Sequence, residues 1–161
     1  MTWEVHSDYE ALAKRCEETD GYYDDSLDCD IALLMLGGEI VQKQAQYTGT
    51  FYFMRKYASK DSVQGFFHDP VLKYTGSMDA AYSLVPFDPE LGHWNMVLQN
   101  HGYVRGVYQN GNAVVDIHSP LSSGGGPYFR GNTKLMAAAI SAAGLRAHGF
   151  IKRMADESSK V

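Results

Sequence analysis

The residues from Gly126 to Thr133 read G-x-x-x-x-G-N-T, one residue away from a phosphate-binding loop. Asn132 stands where that loop needs its lysine, and the strand before it is expected to be antiparallel. Those two departures exclude nucleotide hydrolysis. The elements of simple anion binding remain. Gly124, Gly125 and Gly126 can turn backbone N–H groups towards an anion, and a helix beginning at Asn132 or Thr133 would add its positive end. Arg130 supplies a bidentate donor and Tyr128 a ring. The plainer reading of this stretch is a flexible connector to a helix.

A second stretch, residues 39–73, concentrates rings and positive charge in an otherwise acidic chain. It carries Phe51, Tyr52, Phe53, Tyr57, Phe66 and Phe67, with Lys43, Arg55, Lys56, Lys60 and Lys73 against Glu39, Asp61 and Asp69. Two readings stay open. The rings pack back onto the core, as large aromatic side chains usually do. Or the excursion is a binding arm, since long connections are uncommon without a use. In the second case Phe51, Phe53 or Phe67 would cover a base, and Arg55 or Lys56 would reach a phosphate. The site would then lie between the arm and the Gly-rich loop, both from one chain or each from a different subunit of a two-fold oligomer.

Nothing else in the chain has the spacing of a reaction centre. None of His6, His68, His93, His101, His118 and His148 shows metal-ligand spacing. Asp116, His118 and Ser119 contain the residue types of a triad, but adjacent strand residues point to opposite faces, and no G-x-S-x-G turn is present. Asp24, Asp25, Asp28 and Asp30 match no calcium loop; carboxylates are stabilised at a helix start in any case. The sequence therefore predicts no enzyme, no metal and no cofactor. The net charge of −5 speaks against sequence-independent nucleic-acid binding. No apolar run is long enough to span a membrane, and the N-terminus lacks the pattern of a signal peptide. Cys16 and Cys29 read as reduced thiols of a cytosolic protein.

The elements that must position these residues follow from periodicity. With 161 residues, one domain spanning 1–161 is expected, with 39–73 as an excursion within it. Ser7 and Glu10 form a capping box for a first helix to about Glu18. A second helix starts near Asp24 or Asp25 and stops at Gly37-Gly38. A short helix capped by Thr75 or Ser77 ends at Pro86. From His93 to His118 the period is two. An Asn110-Gly111 hairpin would pair Tyr108 with Ala113, Gly106 with Val115 and Val104 with Ile117. The turn at Asn100-His101-Gly102 would set Trp94 opposite Tyr108, and Arg105 would fall opposite Asp116. The second face of that meander, with Val97, Val107 and Val114, is apolar enough to meet a helix or another subunit, and together with the aromatic arm it predicts a homo-oligomer, a two-fold dimer or a small multiple of it. Met136, Ile140, Ala143, Ala147, Phe150 and Met154 mark one long amphipathic last helix, frayed from Asp156. The fold class is α+β: a three-stranded or slightly larger antiparallel meander sandwiched by helices.

Three segments carry a family resemblance. Tyr74-Thr75-Gly76-Ser77 leads into an Asp79-Ala80-Ala81 core and a Leu84-Val85-Pro86 exit. Leu27 to Leu33 looks like a second-helix segment, and Asn132 to Ala139 like the start of a C-terminal helix. In this order they resemble the phage ABA sandwich domain. The resemblance covers residues 8–37, 74–118 and 132–148. It implies a fold and a setting, the cytoplasm of an infected bacterial host, and no catalytic residues, because the family's function is not established. Two functions fit: a non-catalytic phage accessory protein that sequesters a small phosphate-bearing, nucleotide-type ligand against host defence, or a module that binds and blocks a host protein.

Overall fold

A computed structural model of the chain describes residues 3–19, 23–45, 49–57, 66–99, 103–104, 107–108, 112–120 and 126–160. Helix α1 spans Ser7–Glu17, and its buried stripe is Leu12, Ala13 and Cys16. His6 caps it, its Nδ1 accepting the Asp8 N–H at 3.3 Å, so the expected Ser7–Glu10 box does not form. Helix α2 spans Asp25–Leu36. Asp24 caps it by accepting the Leu27 N–H at 3.0 Å, and Gly37 ends it at a φ of +69°. Helix α3, Met78–Tyr82, is capped by Ser77 and stops before Pro86. Helix α4, Met136–Ser158, is the longest. It stays helical past Asp156, where Lys152–Asp156 and Arg153–Glu157 pairs one turn apart hold its last turns.

Three strands, β1 (Glu39–Ala45), β2 (Gly49–Tyr57) and β3 (Phe66–Pro70), form an antiparallel sheet in chain order. Most of the described residues of the 39–73 excursion are therefore strand. Met54, in the middle of β2, is buried and belongs to the same apolar core as residues of α1, α2 and α4. Next come two short hairpins. Strand β4 (Phe87–Asp88) pairs with β5 (Gly92–His93), and β7 (Tyr103–Val104) with β8 (Val107–Tyr108). The main sheet consists of β6 (Asn95–Gln99), β9 (Ala113–His118) and β10 (Tyr128–Thr133), in the order β10-β9-β6.

This sheet is three-stranded and antiparallel, but its membership corrects the sequence reading. Strand β6 pairs directly with β9, Met96 opposite Ile117 and Leu98 opposite Val115. Residues 103–108 were expected between them. Instead Val104 pairs with Val107 and Tyr103 with Tyr108 in a separate two-stranded sheet, so these four residues are not strands of the main sheet. Asn110-Gly111 and Asn100-His101-Gly102, the expected turns, lie outside the described residues, as does Arg105. The third place is taken by Tyr128–Thr133, expected to be a connector and a helix cap. Asn132 and Thr133 are thus strand residues, and α4 begins later, after Leu135, with no side-chain cap.

Helix α4 is the middle layer. Residues from Ala137 to Leu145 are all buried, because the helix meets β9 and β10 on one side and α1 and α3 on the other. Small side chains let the layers close. A Cβ at Gly131 of β10 would land on the Ala139 carbonyl of α4. A Cβ at Gly144 would lie 2.7 Å from the Leu84 carbonyl, and one at Gly149 2.5 Å from Val5. Trp94, Val115, Ile117 and Phe129 fill the space between sheet and helix, with the rings of Trp94 and Phe129 stacked at 6.4 Å.

Candidate ligand-binding site

The expected anion site around Arg130 is built differently from its sequence reading. Arg130 lies on β10 and makes a fork-to-fork pair with Asp116 of β9, Nε to Oδ1 at 2.8 Å and Nη2 to Oδ2 at 2.9 Å. Asp116 is 3% exposed, so a buried carboxylate requires this guanidinium as partner. Arg130 thus takes the place across from Asp116 that Arg105 was expected to fill. Tyr128 stacks on His118 at 5.4 Å. The Asn132 N–H donates to Glu17 Oε2 at 2.9 Å, and Thr133 is buried. Gly126 precedes β10; Gly124 and Gly125 lie outside the described residues. Tyr128 and Arg130 line a groove of about 340 Å³ with Trp3, Glu10 and Arg146. Both guanidinium groups in it already hold carboxylates, because Arg146 pairs with Glu10 and Glu17.

The arm contributes to a different place. Strand β3 ends at Pro70, opposite Phe53, and the Val71 N–H donates to the Tyr52 carbonyl. Beyond it, β2 runs on beside the start of α2. The space left holds a pocket of about 430 Å³, lined by Thr50, Phe51, Tyr52 and Phe53 of β2, by Tyr23, Asp25 and Asp28, and by Lys73 with its neighbours Val71 and Pro70. Phe51 and Phe53 both line this pocket, with α2 residues and not with the Gly-rich loop expected as their partner. Arg55 lies farther along β2 beside Glu39, at 3.9 Å. The side chains of Lys56 and Phe67 lie outside the described residues; their backbones face each other across β2 and β3.

Asp28 sits at the floor of this pocket, 2% exposed. Its Oδ1 accepts two hydrogen bonds from Thr75, from the N–H at 2.8 Å and from the hydroxyl at 2.9 Å. The Thr75 hydroxyl in turn accepts the Asp24 N–H at 2.9 Å. Asp28 Oδ2 is buried and has no hydrogen-bond partner among the described residues. Burial pushes the Asp28 carboxyl up to about 6, the Thr75 donors opposing and the Asp25 and Asp24 charges adding to the rise. At the mouth the ammonium of the exposed Lys73 lies 4.6 Å from the centre of the Tyr23 ring. Gly76 holds that ring from behind, where a Cβ would come 2.8 Å from the Tyr23 Cβ. Tyr74 anchors the turn by accepting the Ser141 hydroxyl at 2.6 Å. Two of the segments that carry the resemblance, Leu27–Leu33 and Tyr74–Pro86, thus meet at Asp28 and Thr75.

Sequence reasoning assigned Asp28 to a helix-dipole cluster and missed Thr75, Tyr23 and Lys73 as pocket residues. One signal was available for Asp28: it is flanked by the buried Leu27 and Ile31 on the inward side of α2. A carboxylate on an apolar stripe asks for a reason that its exposed neighbours Asp24 and Asp25 do not. Cys16 and Cys29 are buried free thiols, pushed up to about 12 and about 11, chiefly by burial, which makes them poor nucleophiles. Among the described residues no three His, Cys, Asp or Glu side chains cluster as metal ligands, and no helix is long and apolar enough to cross a membrane. No family model, no curated protein and no solved structure matches this chain.

Proposed function

We propose that the protein is a non-catalytic binder of a small nucleotide-type ligand, held in the pocket between β2 and the start of α2. The observation that supports this is the pocket's composition. Tyr23, Phe51, Tyr52 and Phe53 offer ring surface to a planar base, and Lys73 offers a positive charge at the mouth for a phosphate. Its volume of about 430 Å³ suits a ligand of that size. The site is thus the arm half of the one expected from sequence. Gly126, Arg130 and Asn132 do not line this pocket, and Arg130 lines the other groove. A sequestering, anti-defence role in an infected host rests on the phage-family resemblance and on the lack of a reactive constellation.

The test is titration calorimetry with nucleoside monophosphates, cyclic dinucleotides and cyclic ADP-ribose-type ligands, with choline as a control for a cation-binding aromatic box. Phe51 is 46% exposed, so Phe51→Ala should leave thermal stability nearly unchanged. It should weaken binding by about fivefold to a hundredfold, the range of one base-stacking contact. Heat from choline and from no nucleotide would overturn the reading. A module that binds and blocks a host protein is the second reading, favoured by the apolar tip Phe87 and Leu91, 61% and 52% exposed on the β4–β5 hairpin. It takes over if no small ligand binds.

A further inference from the structure

The chemistry of the pocket floor narrows the ligand further, on the basis of the nucleotide reading above. The Thr75 hydroxyl has one proton. Because its oxygen accepts the Asp24 N–H, that proton is directed to Asp28 Oδ1. The Thr75 N–H points to the same oxygen. Oδ1 is therefore saturated and fixed, which leaves Oδ2, buried and without a partner among the described residues, as the one free acceptor of a carboxylate that lines the pocket. A buried carboxylate oxygen without a donor is costly, and a ligand N–H placed there removes that cost.

We infer that the ligand's ring carries an exocyclic amino group, of the adenine or cytosine type, that donates to Asp28 Oδ2. Uracil, thymine, hypoxanthine and guanine carry a carbonyl in the place of that amino group, and its oxygen would face a carboxylate oxygen. A guanine edge would bring two adjacent donors to the one remaining acceptor and leave one of them unanswered. The stacked rings of the wall tolerate any base, so the floor sets the choice.

The experiment is calorimetry at pH 8 with two matched pairs, CMP against UMP and AMP against IMP, on the wild type and on Asp28→Asn. The wild type should bind the amino member of a pair at least about tenfold more tightly, the value of one well-placed hydrogen bond. In D28N the amide oxygen takes the place held by Thr75 and the NH2 occupies the position of Oδ2. The floor becomes a donor, and the order within the pair should reverse towards the carbonyl member. Equal wild-type affinities within a pair that binds, or the wild-type order kept in a folded D28N, would overturn this inference and leave nucleotide binding standing. Should D28N not fold, the wild-type comparison decides alone. No binding of any of the four nucleotides would overturn the inference, and silence across the wider ligand panel would remove the nucleotide reading with it.

Discussion

Arg146 and Glu17 form an ion pair at 2.6 Å, and each also holds one backbone group on the free edge of β10. Arg146 Nη1 donates to the Arg130 carbonyl at 2.6 Å, and Glu17 Oε2 accepts the Asn132 N–H. Glu10 adds a second carboxylate to Arg146, whose side chain is 14% exposed. One cluster thus ties α1, α4 and β10 together. Arg146→Met, which keeps the stem and removes the charge, leaves two carboxylates and a strand carbonyl without their partner. It should cost about 3–5 kcal/mol in urea unfolding. A loss below about 1 kcal/mol would rank the cluster with ordinary surface ion pairs.

Asp28 should give the protein an unusual acid profile. Its carboxyl is raised from 3.8 to about 6, so the folded chain holds that proton more tightly than the unfolded chain does. Its contribution favours folding below about pH 4 and is lost as pH rises through 4 to 6. The full change is on the order of 3 kcal/mol at about 1.4 kcal/mol per pKa unit. Asp28→Asn, which stays neutral, should gain on the wild type across that window and run parallel to it above pH 7. Urea midpoints at several pH values measure this; a difference that does not vary with pH would mean that Asp28 titrates like an exposed carboxylate.

Two glycines should respond differently to the same added methyl. Gly131→Ala places its Cβ on the Ala139 backbone, which cannot step aside alone, so the loss should reach about 3 kcal/mol or more. At Gly37 the added Cβ meets nothing within 4 Å, but φ is +69°. With a ψ of −168° this is a backbone conformation that essentially only glycine adopts, so Gly37→Ala should cost about 1–3 kcal/mol through strain alone. Thermal unfolding of both variants ranks them.

Trp94 is 8% exposed and stacks on Phe129. Trp94→Ala should cost roughly 3–5 kcal/mol. Calorimetric unfolding with a loss below 1 kcal/mol would place the ring outside the core.

Helices were legible where apolar periodicity and a cap agreed, as at Asp24 and Ser77. Strand β10 was hidden for a physical reason. Its inward residues are Phe129, Gly131 and Thr133, and two of them are not apolar. Gly131 looked like loop flexibility, whereas it permits a close approach to α4. The residues around Asn110 gave a strong turn signal, but the pairing partner of β9 is set by long-range contact with β6, which no local pattern encodes. The pocket was half legible. Phe51 and Phe53 stood out by type, but Asp28 and Thr75 are 47 residues apart and become partners only through the fold.

The sealed side of β10 also sets a limit on growth. A sheet invites further strands wherever its rim has unanswered backbone groups. Here Arg146 and Glu17 answer two of them on one rim. On the other, β6 pairs with β9 alone among the described residues, and Val97 and Leu98 are 36% and 43% exposed. Among the described residues, β6 is the edge of this sheet on which no such side-chain contact to a strand backbone group is seen. Two copies joined β6 to β6 would present a blocked rim at each end, and extension through this sheet would stop at the pair instead of running on into a fibre.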